Sequence, residues 1–241
     1  MTDDLPVPVD RLVHVASAVF ALVFALVLTS LITQLATSVA LQVGVVAADT
    51  NAFALLETAV SFAGFLPGVV GYLVITDQRT LVSVSRPSVR EIGLVAGAAV
   101  LLYALQIGLL FGLREFGLRT GQNPATVAAG DPVAYYAAMI LVSILLVGPA
   151  EELLLRGVVQ GGLRRSFHAA PAILIAAVMF GALHGSVEGT IVEQVAYMGV
   201  TVVLGAILGV LYERTENVLV PGLAHGLYNA IIFAGLLWSA L

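Results

Sequence analysis

The chain reads as all-α, a polytopic transmembrane helical bundle of about seven to eight helices, and three observations predict it. Of its 241 residues, 60% are hydrophobic and only 10% charged, with a mean hydropathy of +1.04. Too little polar sequence remains to cover a globule in water. The apolar residues fall in runs of about 20, the length a helix needs to cross the hydrocarbon core at 1.5 Å per residue. The polar connections at 77–91, 114–132 and 164–169 are too short for a soluble domain.

Seven runs are expected as helices: 12–34, 52–76, 92–113, 133–163, 170–187, 189–211 and 217–240. The stretch 35–48 either lengthens the first helix or adds an eighth. The first run, behind Asp3, Asp4 and Asp10, is too long for a cleaved signal and is read as a retained helix. Small residues at Ala96, Gly97, Ala98 and Ala99 on the third run, and at Gly205 and Gly209 on the sixth, permit close helix approach. Two regions follow: residues 1–130, which carry helices without a recognised motif, and residues 131–241, which hold the unusual polar groups.

Charge narrows the class further. Cysteine is absent, which excludes disulfides, thiolate ligands and a thiol nucleophile. All ten cations are Arg, against fifteen acids, and no basic patch points to nucleic acid. Arg11, Arg79, Arg86, Arg90, Arg164, Arg165 and Arg214 fall on one side of a seven-helix chain, and only Arg114 and Arg119 on the other. Arginine enrichment marks the cytoplasmic side, so the N-terminus is expected there and the C-terminus outside. A compact, lysine-free integral membrane protein fits a prokaryotic cell membrane.

Charge in apolar sequence is costly and marks function. Gly148-Pro149-Ala150-Glu151-Glu152-Leu153-Leu154-Leu155-Arg156 places two acids and a guanidinium inside one run. Glu152 and Arg156, four apart with the acid first, share a helix face and are expected to pair. Glu151 is turned about 100° away, and a carboxylate so placed suits general-base work. His184 follows Phe180 by four residues, and Asn229 follows His225 by four, so the last two project into one space. Counted from the flanking turns, Glu151, His184 and His225 are each expected about 16 to 21 Å deep, near mid-bilayer. Pro149 is expected to bend its helix and open a wet cavity beside the acids.

The ordered series Glu-Glu-x-x-x-Arg, Phe-x-x-x-His and His-x-x-x-Asn resembles the CAAX-protease and bacteriocin-processing family of intramembrane proteases, also called the abortive-infection family. The likeness covers roughly residues 133–240 and is matched at Glu151, Glu152, Arg156, Phe180, His184, His225 and Asn229. It implies an intramembrane endopeptidase acting on a membrane-embedded or lipid-anchored peptide or protein. Glu151, aided by His184, would activate a water, while His225 and Asn229 would donate to the tetrahedral oxygen. Glu152, Arg156 and Phe180 would support them. No cofactor is expected to be required. Zinc is the alternative, with Glu151, His184 and His225 as ligands, although the His-Glu-x-x-His signature is missing.

Three other readings compete. Ser186 beside His184 could serve a serine protease, but its Gly185-Ser186-Val187-Glu188-Gly189 setting reads as a turn. A proton-coupled transporter or channel would also use buried acids and imidazoles, with Glu57 and Gln106, yet no related halves are apparent. An immunity or scaffold protein would keep the motifs without hydrolysing anything.

Overall fold

The computed structural model describes residues 7–185 and 187–241; Asp3, Asp4 and Ser186 lie outside them. Seven helical segments follow in order: α1 (Val7–Gln42), α2 (Asn51–Ile75), α3 (Val89–Glu115), α4 (Pro132–Leu163), α5 (Ala169–Leu183), α6 (Ile191–Thr215) and α7 (Leu219–Ala240). Six are long and apolar enough to cross a membrane. The 15 residues of α5 reach only about 22 Å, short of a full crossing. The stretch 35–48 lengthens α1 to Gln42 and ends in a turn at Gly44, whose φ is 73°, so no eighth helix forms among the described residues.

Local chemistry sets the boundaries. Thr50 accepts the Phe53 N–H ahead of α2, Ser88 and Glu91 form a reciprocal cap on α3, and Thr190 and Glu193 do the same on α6. Asp131 caps α4, whose first residue is Pro132, a position where a missing N–H costs nothing.

The connections alternate between two ends of the bundle. At one end Asn51 bonds Asp131 O and Ala129 N, and Gln122 pairs with Glu188. At the other, Asn217 bonds the backbone of Ser85 and the Val218 N–H bonds Ser83 O. The arginine-poor connections share the first end, as a seven-helix chain requires.

Helix α4 lies at the centre. Against one side of it pack α1 and α2, through Ala21, Phe65, Tyr72, Leu154 and Leu155. Helices α5 and α7 meet its other faces, and α3 packs on α6 and α7 through Leu102, Leu204, Leu208, Ala224 and Tyr228. The N-terminal helices therefore share the core that holds the motifs.

Two features fix the register of α4. Pro149 has no N–H, and its ring would crowd a regular preceding turn. The helix answers with a wide turn over Ser143–Val147, where the Gly148 N–H reaches back to Ser143 O, and a second over Leu153–Gln160. Wide turns inside helices occur often at functional sites. The helix thus continues through Pro149.

Glycines then bring α7 against this segment. A Cβ on Gly226 would lie 2.6 Å from Ser143 O and 2.8 Å from Ile144 Cα, and one on Gly148 would strike the backbone of Gly222 and Gly226. On the sixth helix, Gly205 and Gly209 face Phe180, Arg156 and Gln160 as close approach demands. Gly97 does not fit the same expectation, because nothing lies within 4 Å of it. Gly226→Ala should therefore destabilise by about 1–3 kcal/mol, since backbone and not a yielding side chain opposes it. Gly97→Ala should be neutral or better, and thermal unfolding in detergent distinguishes the two.

Candidate active site

The carboxylate of Glu152 and the guanidinium of Arg156 are both fully buried and meet at 2.6 Å, Oε2 to Nε. This pairing matches the four-residue spacing. Its setting is less expected, because Glu152 also accepts from His225 Nδ1 on α7 at 3.2 Å through its other oxygen. Glu152 thus orients His225 as well as holding α4. Arg156 Nη1 and Nη2 have no hydrogen-bond partner among the described residues, but the guanidinium carbon lies 5.6 Å from the Phe180 ring centre. The negative face of that ring supplies part of the missing compensation.

Phe180 also gathers the imidazoles. Its ring centre is 4.5 Å from that of His184 and 5.7 Å from that of His225, the latter edge-on at 84°. The His184 Nδ1–H donates to Phe180 O at 2.9 Å, since a carbonyl can only accept, which leaves Nε2 as the accepting nitrogen of the neutral ring. By the same logic His225 Nδ1–H faces Glu152 and its Nε2 is left for other partners. Glu151 is buried, with Oε2 3.7 Å from His225 Nδ1 and no hydrogen-bond partner among the described residues.

Glu151, Phe180, His184, His225 and Asn229 line one cavity of about 500 Å³. The helix boundaries around them differ from the expected ones. Helix α5 stops at Leu183, so His184 sits just beyond its end, where the chain turns toward Glu188. His225 is six residues, about 9 Å, from the start of α7. That start is buried under the segment around Ser83 and Ser85, so it does not mark the level of the α4–α5 turn. Glu57 is exposed and takes no part, whereas half-buried Gln106 lines the cavity.

Several neighbours escaped the sequence reading. A strap over residues 120–126 covers the cavity and is pinned by Gln122 to Glu188, by Asn123 to the Tyr197 hydroxyl, and by Tyr135 and Tyr136 to Ala125 O and Thr126 O. Tyr197 and Thr201 line the cavity one helical turn apart, a spacing that could have flagged them. Gln160 is fully buried and donates to Gly209 O and Glu213, and it extends the four-residue series Glu152, Arg156, Gln160.

Among the described residues no group of three or more His, Cys, Asp or Glu is arranged to hold a metal ion. Glu151, His184 and His225 share the cavity without the spacing such a site demands.

A helical bundle that converges a carboxylate, two imidazoles and a carboxamide on an interior hollow has the layout of an enzyme built within a membrane. Residues 133–231 match the family model described as Type II CAAX prenyl endopeptidase Rce1-like, the likeness that the chain's motifs also carry. No curated protein and no solved structure matches the chain.

Replacing Glu152 by Ala should cost about 3–5 kcal/mol, because it strands a buried guanidinium. Joint replacement, Glu152→Leu with Arg156→Met, should cost clearly less than the two single changes summed. Denaturation midpoints of Glu152→Leu, Arg156→Met and the joint variant against the parent measure the coupling.

Proposed function

We propose that the chain is an intramembrane endopeptidase that hydrolyses a peptide bond of a membrane-associated substrate with a glutamate-activated water. The observation that carries this reading is the division of labour between the adjacent acids. Glu152 is engaged by Arg156 and His225, while Glu151 faces the cavity with an oxygen unpartnered among the described residues.

In this scheme Glu151 takes a proton from water, with His184 Nε2 steering the same water. The hydroxide adds to the scissile carbonyl carbon. His225, as the imidazolium held by Glu152, donates from Nε2 to the developing oxyanion, and the Asn229 amide donates beside it. Glu151 then returns its proton to the leaving nitrogen as the C–N bond breaks. Every step uses side chains that line the cavity, and none requires a metal.

Glu151→Gln should lower kcat by about 100- to 10,000-fold with the unfolding temperature unchanged. Asn229→Ala should lose about 100- to 1,000-fold, chiefly in kcat. Turnover by reconstituted protein should survive chelator treatment. Full activity of the Gln variant would remove Glu151 as base, and recovery that depends on added zinc would replace this scheme by a metal-assisted one.

The arginine-rich end of the bundle is proposed to face the cytoplasm, which puts the strap and the cavity beneath it on the opposite side. The absence of native cysteine makes this direct to test. Gln122 on the strap and Arg214 at the far end are both exposed. Gln122→Cys should react with an impermeant maleimide on intact cells and Arg214→Cys only after lysis. The reverse pattern would invert the orientation.

A further inference from the structure

A second hollow, of about 300 Å³, lies at the arginine-rich end of the bundle and shares no lining residue with the cavity around Glu151. Its polar lining comes from His14 and Ser17 on α1, Tyr72 on α2, Asp77 and Gln78 in the turn that follows, and Arg165 just beyond α4. All but Arg165 fall within residues 1–130, the region without a motif.

The charges here are not spent on one another. Among the described residues the Arg165 guanidinium and the Asp77 carboxylate form no ion pair, with each other or elsewhere. His14 gives its Nδ1–H to Asp10 O at 2.9 Å, which leaves Nε2 of the neutral ring as an acceptor. The hollow therefore offers donors from Arg165, Ser17, Tyr72 and Gln78, and acceptors from Asp77 and His14. Such a set fits a ligand with anionic oxygens at one end and a hydrogen-bond donor at the other. A guanidinium matches the geometry of phosphate oxygens, and an ionised carboxylate can only accept.

The surface beside the hollow selects the source of that phosphate. Phe20 is 56% exposed, yet its ring centre lies 6.3 Å from that of Tyr72 and 6.0 Å from that of Phe24. An aromatic ridge thus leads away from the polar lining along α1, on which Val23 and Val27 are exposed as well. A free phosphate would use only the polar part of this surface. An amphiphile uses both.

We propose that the hollow binds the headgroup of a phospholipid. The phosphate sits on Arg165 with the Ser17 and Tyr72 hydroxyls, a terminal ammonium or hydroxyl of the headgroup donates to Asp77, and an acyl chain lies along Phe20 and Phe24. The bound lipid joins α1, α2 and α4 at the end opposite the strap, independently of any chemistry at Glu151.

The test titrates phospholipids into the delipidated full chain in detergent and reads the unfolding temperature, which rises because the lipid binds the folded state. Phosphatidylethanolamine and phosphatidylglycerol should bind at least about tenfold more tightly than phosphatidylcholine, whose methylated ammonium has no hydrogen to donate to Asp77. Asp77→Gly, which suits the φ of 53° at that position, should abolish the preference, and Arg165→Gln should weaken all three lipids. Equal binding of the three lipids by the unaltered protein, or affinities unmoved by either substitution, would overturn the proposal. Displacement of the lipid by inorganic phosphate at the lipid's own concentration, read by native mass spectrometry, would mark a site for a soluble anion and overturn the lipid assignment.

Discussion

The buried ion pair of Glu152 and Arg156 is the constraint from which the rest of this structure follows. Two charges withdrawn from water are expensive, and their mutual attraction offsets that expense only with good geometry and further partners. Here both partners come from one helix, four residues apart, so the pair needs no distant element to form. The remaining polar capacity then reaches outward. One carboxylate oxygen takes His225 from α7, and the guanidinium face takes Phe180 from α5. A local pair thereby fixes three helices relative to one another, and the two imidazoles with them.

This arrangement works only if α7 comes close enough for His225 to reach α4. Gly148, Gly222 and Gly226 provide that proximity by leaving backbone against backbone where the helices cross. The same short segment contains Pro149, which forbids a regular turn there. The wide turns on either side of Gly148–Glu152 absorb the disturbance and alter which residues share a face. Glu151 and Glu152, adjacent in sequence, end up serving the cavity and the ion pair respectively. Helix packing and the cavity lining therefore depend on the same segment of α4.

Much of this was legible from sequence because lipid simplifies the problem. Apolar run lengths located all seven helices, and spacings of four paired Glu152 with Arg156 and set His225 beside Asn229. Helix ends were less accessible. His184 was expected within a helix because apolar sequence continues past it, yet Gly185 and the pairing of Gln122 with Glu188 stop α5 at Leu183. The count from Arg214 to His225 assumed a helix starting there, whereas α7 starts at Leu219 after a buried turn in which Asn217 bonds Ser85. The link from Glu152 to His225 spans 73 residues and depends on a helix crossing, which no local spacing encodes. The strap was missed for a related reason: its role rests on hydrogen bonds to Tyr135, Tyr136 and Tyr197, which become neighbours only after folding.

The distribution of arginine ties orientation to chemistry. A membrane chain needs cations at one end to set its direction, and this one needs a further guanidinium beside Glu152. Both demands place positive charge near a cavity that holds a carboxylate without a hydrogen-bond partner on one oxygen among the described residues. A guanidinium bonded to Glu151 would occupy that oxygen and close this side of the hollow. The structure separates the two requirements by distance and by burial. Seven arginines gather at the end away from the strap, and Arg156 is sealed behind Glu152 and a phenyl ring. Glu151 instead lines the cavity with His184 and His225, so the two adjacent acids are told apart by their partners: one is closed within an ion pair, and the other keeps an unpartnered oxygen among the described residues.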